Sequence, residues 1–353
     1  MSPFFSIILP TRNRSDIVIH AIESVQRQTF ADWELIVVDN DETDATAIAV
    51  RPYVNSKIHY YRTGNLSMCD NWEFGLHKTK GQYISVLQDK ATLFHDSLAI
   101  IAQAISDFSK PIVSWNYSFV HKEKNIEKLM LNKQFTRSIY TTEEVLQLFL
   151  SHGDYHFSRV IPRFVNSCCE RSIIEKAMNT SVGRVFPPIS PDYTSMFLQL
   201  YLYSELLYID KVLTLFDNRK YSGGAVYAAK RKDSAEYKDV MKMVINQNEN
   251  QLCDLVPVNA PNIGYNHMMN DYLHLREQLG GKFSYYPMDK INYYNECFHF
   301  IELSEALGAE MNTERDMVHV ALQKECGNIQ KSVYDLREKI GVWQQYKDES
   351  LKK

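Results

Sequence analysis

Three short apolar runs constrain this chain more than anything else in it. Residues 4–9 break at Pro10-Thr11-Arg12-Asn13, residues 35–38 end in Asp39-Asn40-Asp41, and residues 83–87 end in Gln88-Asp89-Lys90. Continuous apolar runs of this length read as strands buried on both faces, the kind a parallel sheet requires. Each hands over to polar, acid-bearing residues at its carboxyl end. Open α/β sheets bind ligands at that edge, in the crevice where strand order reverses. Carboxylates and a guanidinium gathered there suit the base, ribose and diphosphate of a nucleotide.

Helical patterns alternate with these runs. Ser15-Asp16 reads as a helix cap, and Ile17, Val18, Ala21, Ile22 and Val25 then recur on one face. Further on come a short helix over Ala45–Val50 that stops at Pro52, a strand over Ile58–Arg62, and a helix over 70–77 that ends near Gly81. A helix over 94–108 and a strand over 111–115 complete the series. Strands alternating with helices imply βαβ units. The expected class is therefore α/β, a Rossmann-like, open and mostly parallel sheet flanked by helices. After residue 116 the alternation loosens. Residues 142–150, 170–179 and 192–202 look helical, 212–215 look like a strand, and Tyr221-Ser222-Gly223-Gly224 reads as a mobile turn over a site. From 231 onward the pattern is polar and helical. There Val318, Leu322, Cys326, Ile329, Val333, Leu336, Ile340 and Trp343 form a near-heptad seam. It serves either a helix packed on its own domain, the favoured reading, or a homodimer seam or docking helix.

Composition removes some classes of function. The chain has 353 residues, 45% hydrophobic and 23% charged, with a net charge of -4. It can bury a sizeable core, and it lacks the basic field of a nucleic-acid binder. The partner is then a small molecule or a glycan. Residues 4–9 are too short for a secretory leader and follow no basic region. No stretch reaches the roughly 20 apolar residues of a membrane span. The six cysteines form no CxxC pattern, which fits reduced thiols in a cytoplasmic protein. His152 and His156 are spaced for one helix face, but Gly153 and the lack of a third ligand argue against a metal there. The charge runs at 121–124 and 230–232 read as solvated loops, the latter with a weak claim on anionic lipid.

The string Ile7-Ile8-Leu9-Pro10-Thr11-Arg12-Asn13-Arg14 resembles the opening of inverting family 2 glycosyltransferases of the GT-A fold. So do Gln28-Thr29-Phe30, the run Trp33-Glu34-Leu35-Ile36-Val37-Val38-Asp39, and Asp70-Asn71-Trp72-Glu73 with Gly81-Gln82-Tyr83-Ile84. Pro162-Arg163 and Ser190-Pro191-Asp192-Tyr193 look like the acceptor half of that family's bacterial polysaccharide branch. The resemblance covers about residues 4–225, and its motifs are specific in order and spacing rather than singly. It implies a nucleotide-sugar-binding half at 1–115, an acceptor-binding half at 116–230 and a helical C-terminal extension at 231–353.

The resemblance also implies roles. Pro10 and Thr11 turn the chain beside the base and ribose, and Arg12 or Arg14 answers the diphosphate. Asp39 and Asn40 hold the nucleoside. The family usually carries a second acid at the place of Asn40; an amide can still read a uracil edge, or a different base. At Gln88-Asp89-Lys90 the family carries two or three acids that hold Mg²⁺ or Mn²⁺. Here Asp89 alone remains as a metal ligand, and Lys90 stands where an acid is usual. Either Asp89 binds a cation weakly, through water and phosphate, or Lys90 neutralises the diphosphate itself. Asp192 is the expected general base, although Asp is also an ordinary residue for a helix start.

The function so implied is inverting transfer of a sugar from a nucleotide-sugar donor, a UDP-sugar, to a glycan or lipid-linked acceptor in surface polysaccharide synthesis. The location is cytoplasmic, with acceptor delivery peripheral at the inner face of the membrane. One rival is a sugar-nucleotide-binding protein without catalysis. A sugar nucleotidyltransferase is disfavoured, because Pro10 to Arg14 contains no glycine for a phosphate loop.

Overall fold

The computed structural model describes residues 2–120, 134–157, 159–217, 254–306 and 308–350; the side chains of 152–157 and 341–350 lie outside that description. The turn at 221–224 and the charge runs at 121–124 and 230–232 also fall outside the described residues.

The first half builds four parallel strands, β1 (Phe5–Thr11), β2 (Trp33–Asp39), β3 (Ile58–Arg62) and β4 (Tyr83–Val86). They lie in the order β3-β2-β1-β4. Strand order therefore reverses at β1, where β2 runs on one side and β4 on the other. Ile7, Ile8, Leu9 and Leu35 to Val38 are all essentially inaccessible, as continuous apolar strands between two helical layers must be. Pro10 sits inside β1 at no cost to the ladder. Ile8 faces β4, accepting from the Leu87 N–H at 2.8 Å. Two residues on, the Pro10 nitrogen faces the same way, beyond the last β1–β4 pairing at Ile8 and Val86.

The sheet continues through β5 (Ala91–Leu93), β6 (Ile112–Phe119), β7 (Arg137–Thr141), β8 (Ser167–Glu170) and β9 (Glu205–Phe216). The order runs on as β4-β8-β6-β9-β5, with β7 also paired to β9. β6 and β9 are parallel, while the pairings of β8, β5 and β7 are antiparallel. The first four strands are all parallel, and the sheet as a whole is mixed.

Eleven helices flank it among the described residues: α1 (Val18–Gln26), α2 (Ala45–Val50), α3 (Met68–Lys78), α4 (Ser97–Phe108), α5 (Thr142–Phe157), α6 (Ser172–Met178), α7 (Pro191–Leu202), α8 (Gly264–Leu279), α9 (Lys290–Ala306), α10 (Asn312–Gln323) and α11 (Gly327–Ser350). α3 lies hard against the sheet because it carries Gly75. A Cβ there would come within 2.7 Å of Ile8 Cγ2 and 3.3 Å of Val38. The extension is not a separate body. Tyr272 meets Phe197 at 5.1 Å between ring centres, and Phe283 meets Tyr201 at 5.1 Å. No described helix is long and apolar enough to cross a membrane.

Several expectations are corrected. Ser15-Asp16 does not cap α1: the helix starts at Val18 with no side-chain cap, and Ile17 and Val18 donate their N–H groups to the Arg14 carbonyl instead. Glu170 ends a strand rather than opening a helix, because β8 is clasped between β4 and β6. α5 runs straight through Gly153, since one glycine costs a helix only about 1 kcal/mol and packing can offset that. The seam does not lie on one helix. It is split between α10 and α11, and its Val318, Leu322 and Val333 are fully buried against the rest of the chain.

Candidate functional site

The reversal of strand order places three carboxyl ends side by side. Thr11 pairs with Asp39 in register, and Asp39 with Arg62. The loop after β4 delivers Asp89, only 3% exposed, and Lys90 to the other side of β1.

On the β2 side the polar groups are tightly ordered. The Asp39 carboxylate accepts from Tyr60 Oη at 2.6 Å and from the Asp41 N–H at 2.9 Å. Its burial raises its pKa above the usual carboxylate value, and the Tyr60 bond partly offsets this. The Asn40 N–H donates to the Thr11 carbonyl at 3.2 Å, and Asn40 Nδ2 donates to the Leu66 carbonyl at 2.9 Å. With one amide N–H committed, Asn40 keeps Oδ1 as an acceptor and a second N–H as a donor. The Thr11 hydroxyl is buried with no hydrogen-bond partner.

The two arginines after β1 diverge. Arg12 is buried and donates to the Asn40 carbonyl at 3.1 Å and to Asn65 Oδ1 at 3.3 Å. It braces the end of β2. Arg14 crosses to the other side, where its Nη1 lies 2.7 Å from Asp89 Oδ1. Asn13 between them has φ 53°, a left-handed conformation that asparagine tolerates, and this reversal separates the two guanidinium groups. Lys90 follows Asp89. Burial, with the Arg14 charge, lowers the pKa of Lys90 to about 8, against the opposing pull of Asp89 and Asp192. Its ammonium makes no hydrogen bond or ion pair to any described residue. Those pKa influences also locate Asp192, whose charge acts on Lys90, on Cys69 and on Asp271. The charge of a carboxylate from the second half of the chain is thus felt at Lys90 in the first.

Asp192 occupies the first turn of α7, behind Ser190 and Pro191. Proline suits that first position because its missing N–H is unneeded there. The loop leading to it is tied down at both ends. Glu73 on α3 accepts from the N–H groups of Val185 at 3.3 Å and Phe186 at 2.8 Å, and Arg184 pairs with Asp70 at 2.9 Å. At its far end the N–H groups of Ile189 and Ser190 each donate to the carboxylate of Asp271, on α8, at 3.0 Å. Asp271 is fully buried, and burial pushes its pKa up to about 7 despite those two bonds. Neither Asp271 nor Tyr60 stands out in the sequence, for each acts through a partner far along the chain. Arg163 completes the wall. It donates to Tyr193 Oη at 3.2 Å and Tyr117 Oη at 2.7 Å, stacked over both rings. Gln199 Nε2 donates to the Pro162 carbonyl at 2.7 Å, so α7 is joined to the segment carrying Arg163.

The cation expected from the resemblance does not fit these residues. No group of three or more His, Cys, Asp or Glu among the described residues is placed to hold a metal. Asp89 is already paired with Arg14, and Lys90 adds a second positive charge next to it. The side chains of His152 and His156 lie outside the described residues.

A doubly flanked sheet with a polar crevice at its switch point defines a GT-A-like α/β protein. Residues 6–169 match the family model described as Glycosyl transferase family 2. Within that segment the chain is similar to glycosyl transferase family 2. Among curated relatives, a GalNAc(5)-diNAcBac-PP-undecaprenol beta-1,3-glucosyltransferase of Campylobacter jejuni is 28% identical over 36% of this chain and 41% of its own. A PGL/p-HBAD biosynthesis glycosyltransferase of Mycobacterium bovis is 30% identical over 30% of this chain and 43% of its own. The chain therefore spans about two fifths of the length of these two relatives. The crystal structure of S. aureus TarS 1-349 in complex with UDP-GlcNAc is similar in fold, with a TM-score of 0.52 at 13% identity. That match covers 95% of this chain and 92% of the other.

Proposed function

We propose that this protein is an inverting glycosyltransferase that moves a sugar from a UDP-sugar to a glycan or lipid-linked acceptor. The observation that supports the reading is the charge of Asp192 acting on Lys90, which fits a proton acceptor facing the diphosphate end of the nucleotide site. In the reaction, an acceptor hydroxyl oxygen attacks the anomeric carbon as the carbon–oxygen bond to the diphosphate breaks. The hydroxyl proton passes to Asp192 and the electron pair to the diphosphate. Attack from the face opposite the leaving group inverts the configuration. Asn40 Oδ1 supports a uracil donor, because the imide N–H of uracil needs an acceptor, and Thr11 offers its hydroxyl to the nucleoside. The name of the undecaprenol-linked relative favours a lipid-linked acceptor, and the UDP-GlcNAc complex of the TarS structure favours a uridine donor.

Asp192→Asn tests the assignment. Donor affinity, read by calorimetry with a UDP-sugar panel, is expected to stay within about twofold of wild type. Release of UDP in the presence of polyprenyl-diphosphate-linked glycans is expected to fall by roughly 10²–10⁴-fold, the usual contribution of a general base. Release at the wild-type rate would refute the role. The thin acidic complement at Asp89 favours one second reading, a binding protein without turnover. Donor bound by both proteins and consumed by neither would decide for it.

A further inference from the structure

We propose that the diphosphate of the donor is held by Lys90 and Arg14 in place of a divalent cation, so that this chain binds its nucleotide without metal; this rests on the nucleotide-sugar reading above. Three observations carry it. First, the carboxylate that survives from the family's acidic motif is already used: Asp89 is buried and paired with Arg14 at 2.7 Å. Second, among the described residues no set of acids and histidines gathers to complete a coordination shell. A hard cation wants six or so oxygens at near-fixed distances, and one charge-paired carboxylate is a poor start. Third, the Lys90 ammonium stands in the crevice with no hydrogen bond or ion pair to any described residue. A cationic group set into a protein wall ordinarily finds an anion. Here the natural anion is a phosphate, which lysine meets as a point charge and arginine as a fork.

The chemistry balances without a metal. As the glycosidic bond breaks, its electron pair settles on the β-phosphate oxygen. That charge lies against Lys90, while the acceptor proton goes to Asp192. Preorganised charges of this kind stabilise a departing anion without reorganisation.

The test is UDP binding to the full chain by calorimetry, in EDTA and in excess Mn²⁺, with uridine as the control ligand. UDP affinity is expected to agree within about twofold between the two conditions. Lys90→Met, which keeps the aliphatic stem and removes the charge, is expected to weaken UDP roughly tenfold and leave uridine unchanged, while Lys90→Arg restores much of the loss. Melting temperatures establish that the variants fold. UDP affinity that rises tenfold or more with Mn²⁺ overturns the proposal and leaves the nucleotide-sugar reading standing. So does Lys90→Met binding UDP like wild type. Failure of every nucleoside diphosphate to bind in either condition overturns that reading, and the proposal with it.

Discussion

Thr11 and Asp39 face each other across β1 and β2, yet they are solved differently. Both oxygens of Asp39 accept hydrogen bonds from the protein, so its carboxylate is spent shaping the floor of the crevice. The Thr11 hydroxyl is buried and unsatisfied. Such a group costs about 1–3 kcal/mol unless a ligand supplies its partner. Thr11→Val is therefore expected to raise the unfolding free energy of the empty protein by about 1 kcal/mol, while nucleotide affinity falls. Denaturant unfolding and UDP titration of the same variant check both halves; a variant weaker in stability and unchanged in binding would reverse the account. At this scale the sequence was readable where strand geometry decided the matter. Thr11, Asp39 and Asp89 follow apolar runs, and a strand's last residue must fall at the sheet edge. Arg12 and Arg14 were not separable, because the left-handed turn at Asn13 that sends one to Asn40 and the other to Asp89 leaves no periodic trace.

The loop at 184–190 and the helix it feeds act as one element. Asp271 accepts two N–H groups from that loop and lies within reach of the Asp192 charge. Its pKa is near 7 when folded and 3.8 in the ordinary reference, so between those values the folded protein binds the extra proton. Stability attributable to this group is fully present below about 3.8 and is lost as pH rises through about 7. The full swing would be of the order of 4 kcal/mol. Asp271→Asn carries no such proton. Its melting temperature relative to wild type is thus expected to climb from pH 4 to pH 7, and a flat difference across that range would contradict the burial argument. Elements were legible where an apolar run was continuous or periodic, and of the twelve-residue β9 only 212–215 was read as strand. The helix over 192–202 and the seven-residue strands β1 and β2 were plain. β5, β7 and β8 have three to five residues and owe their existence to neighbours: Cys168 and Cys169 extend because β4 and β6 pair with them from both sides.

Across the whole molecule, the extension closes the back of the second half. Tyr265, Tyr272 and Phe283 enter the same core as Phe149 and Phe197. Val318, Leu322 and Val333 of the near-heptad seam are spent on this packing, with α11 lying along α9. Leu322→Ala is expected to cost about 3 kcal/mol, the usual result of emptying a fully buried leucine site. The unfolding midpoint should not depend on protein concentration. A midpoint that rises with concentration would place the seam between two chains instead. The seam's spacing alone could not choose between these outcomes, because a heptad buries the same residues against any apolar partner.

The tether from Glu73 to Asp271 has a practical corollary. The proton acceptor of the proposed reaction hangs from a short strap whose two anchors belong to α3, inside the family-matched segment, and α8, well outside it. Exchanging the tail of this chain for that of a cousin, in the hope of changing which glycan it serves, would unmoor the base along with the specificity. A working chimaera would have to carry its own carboxylate to the backbone just ahead of Pro191.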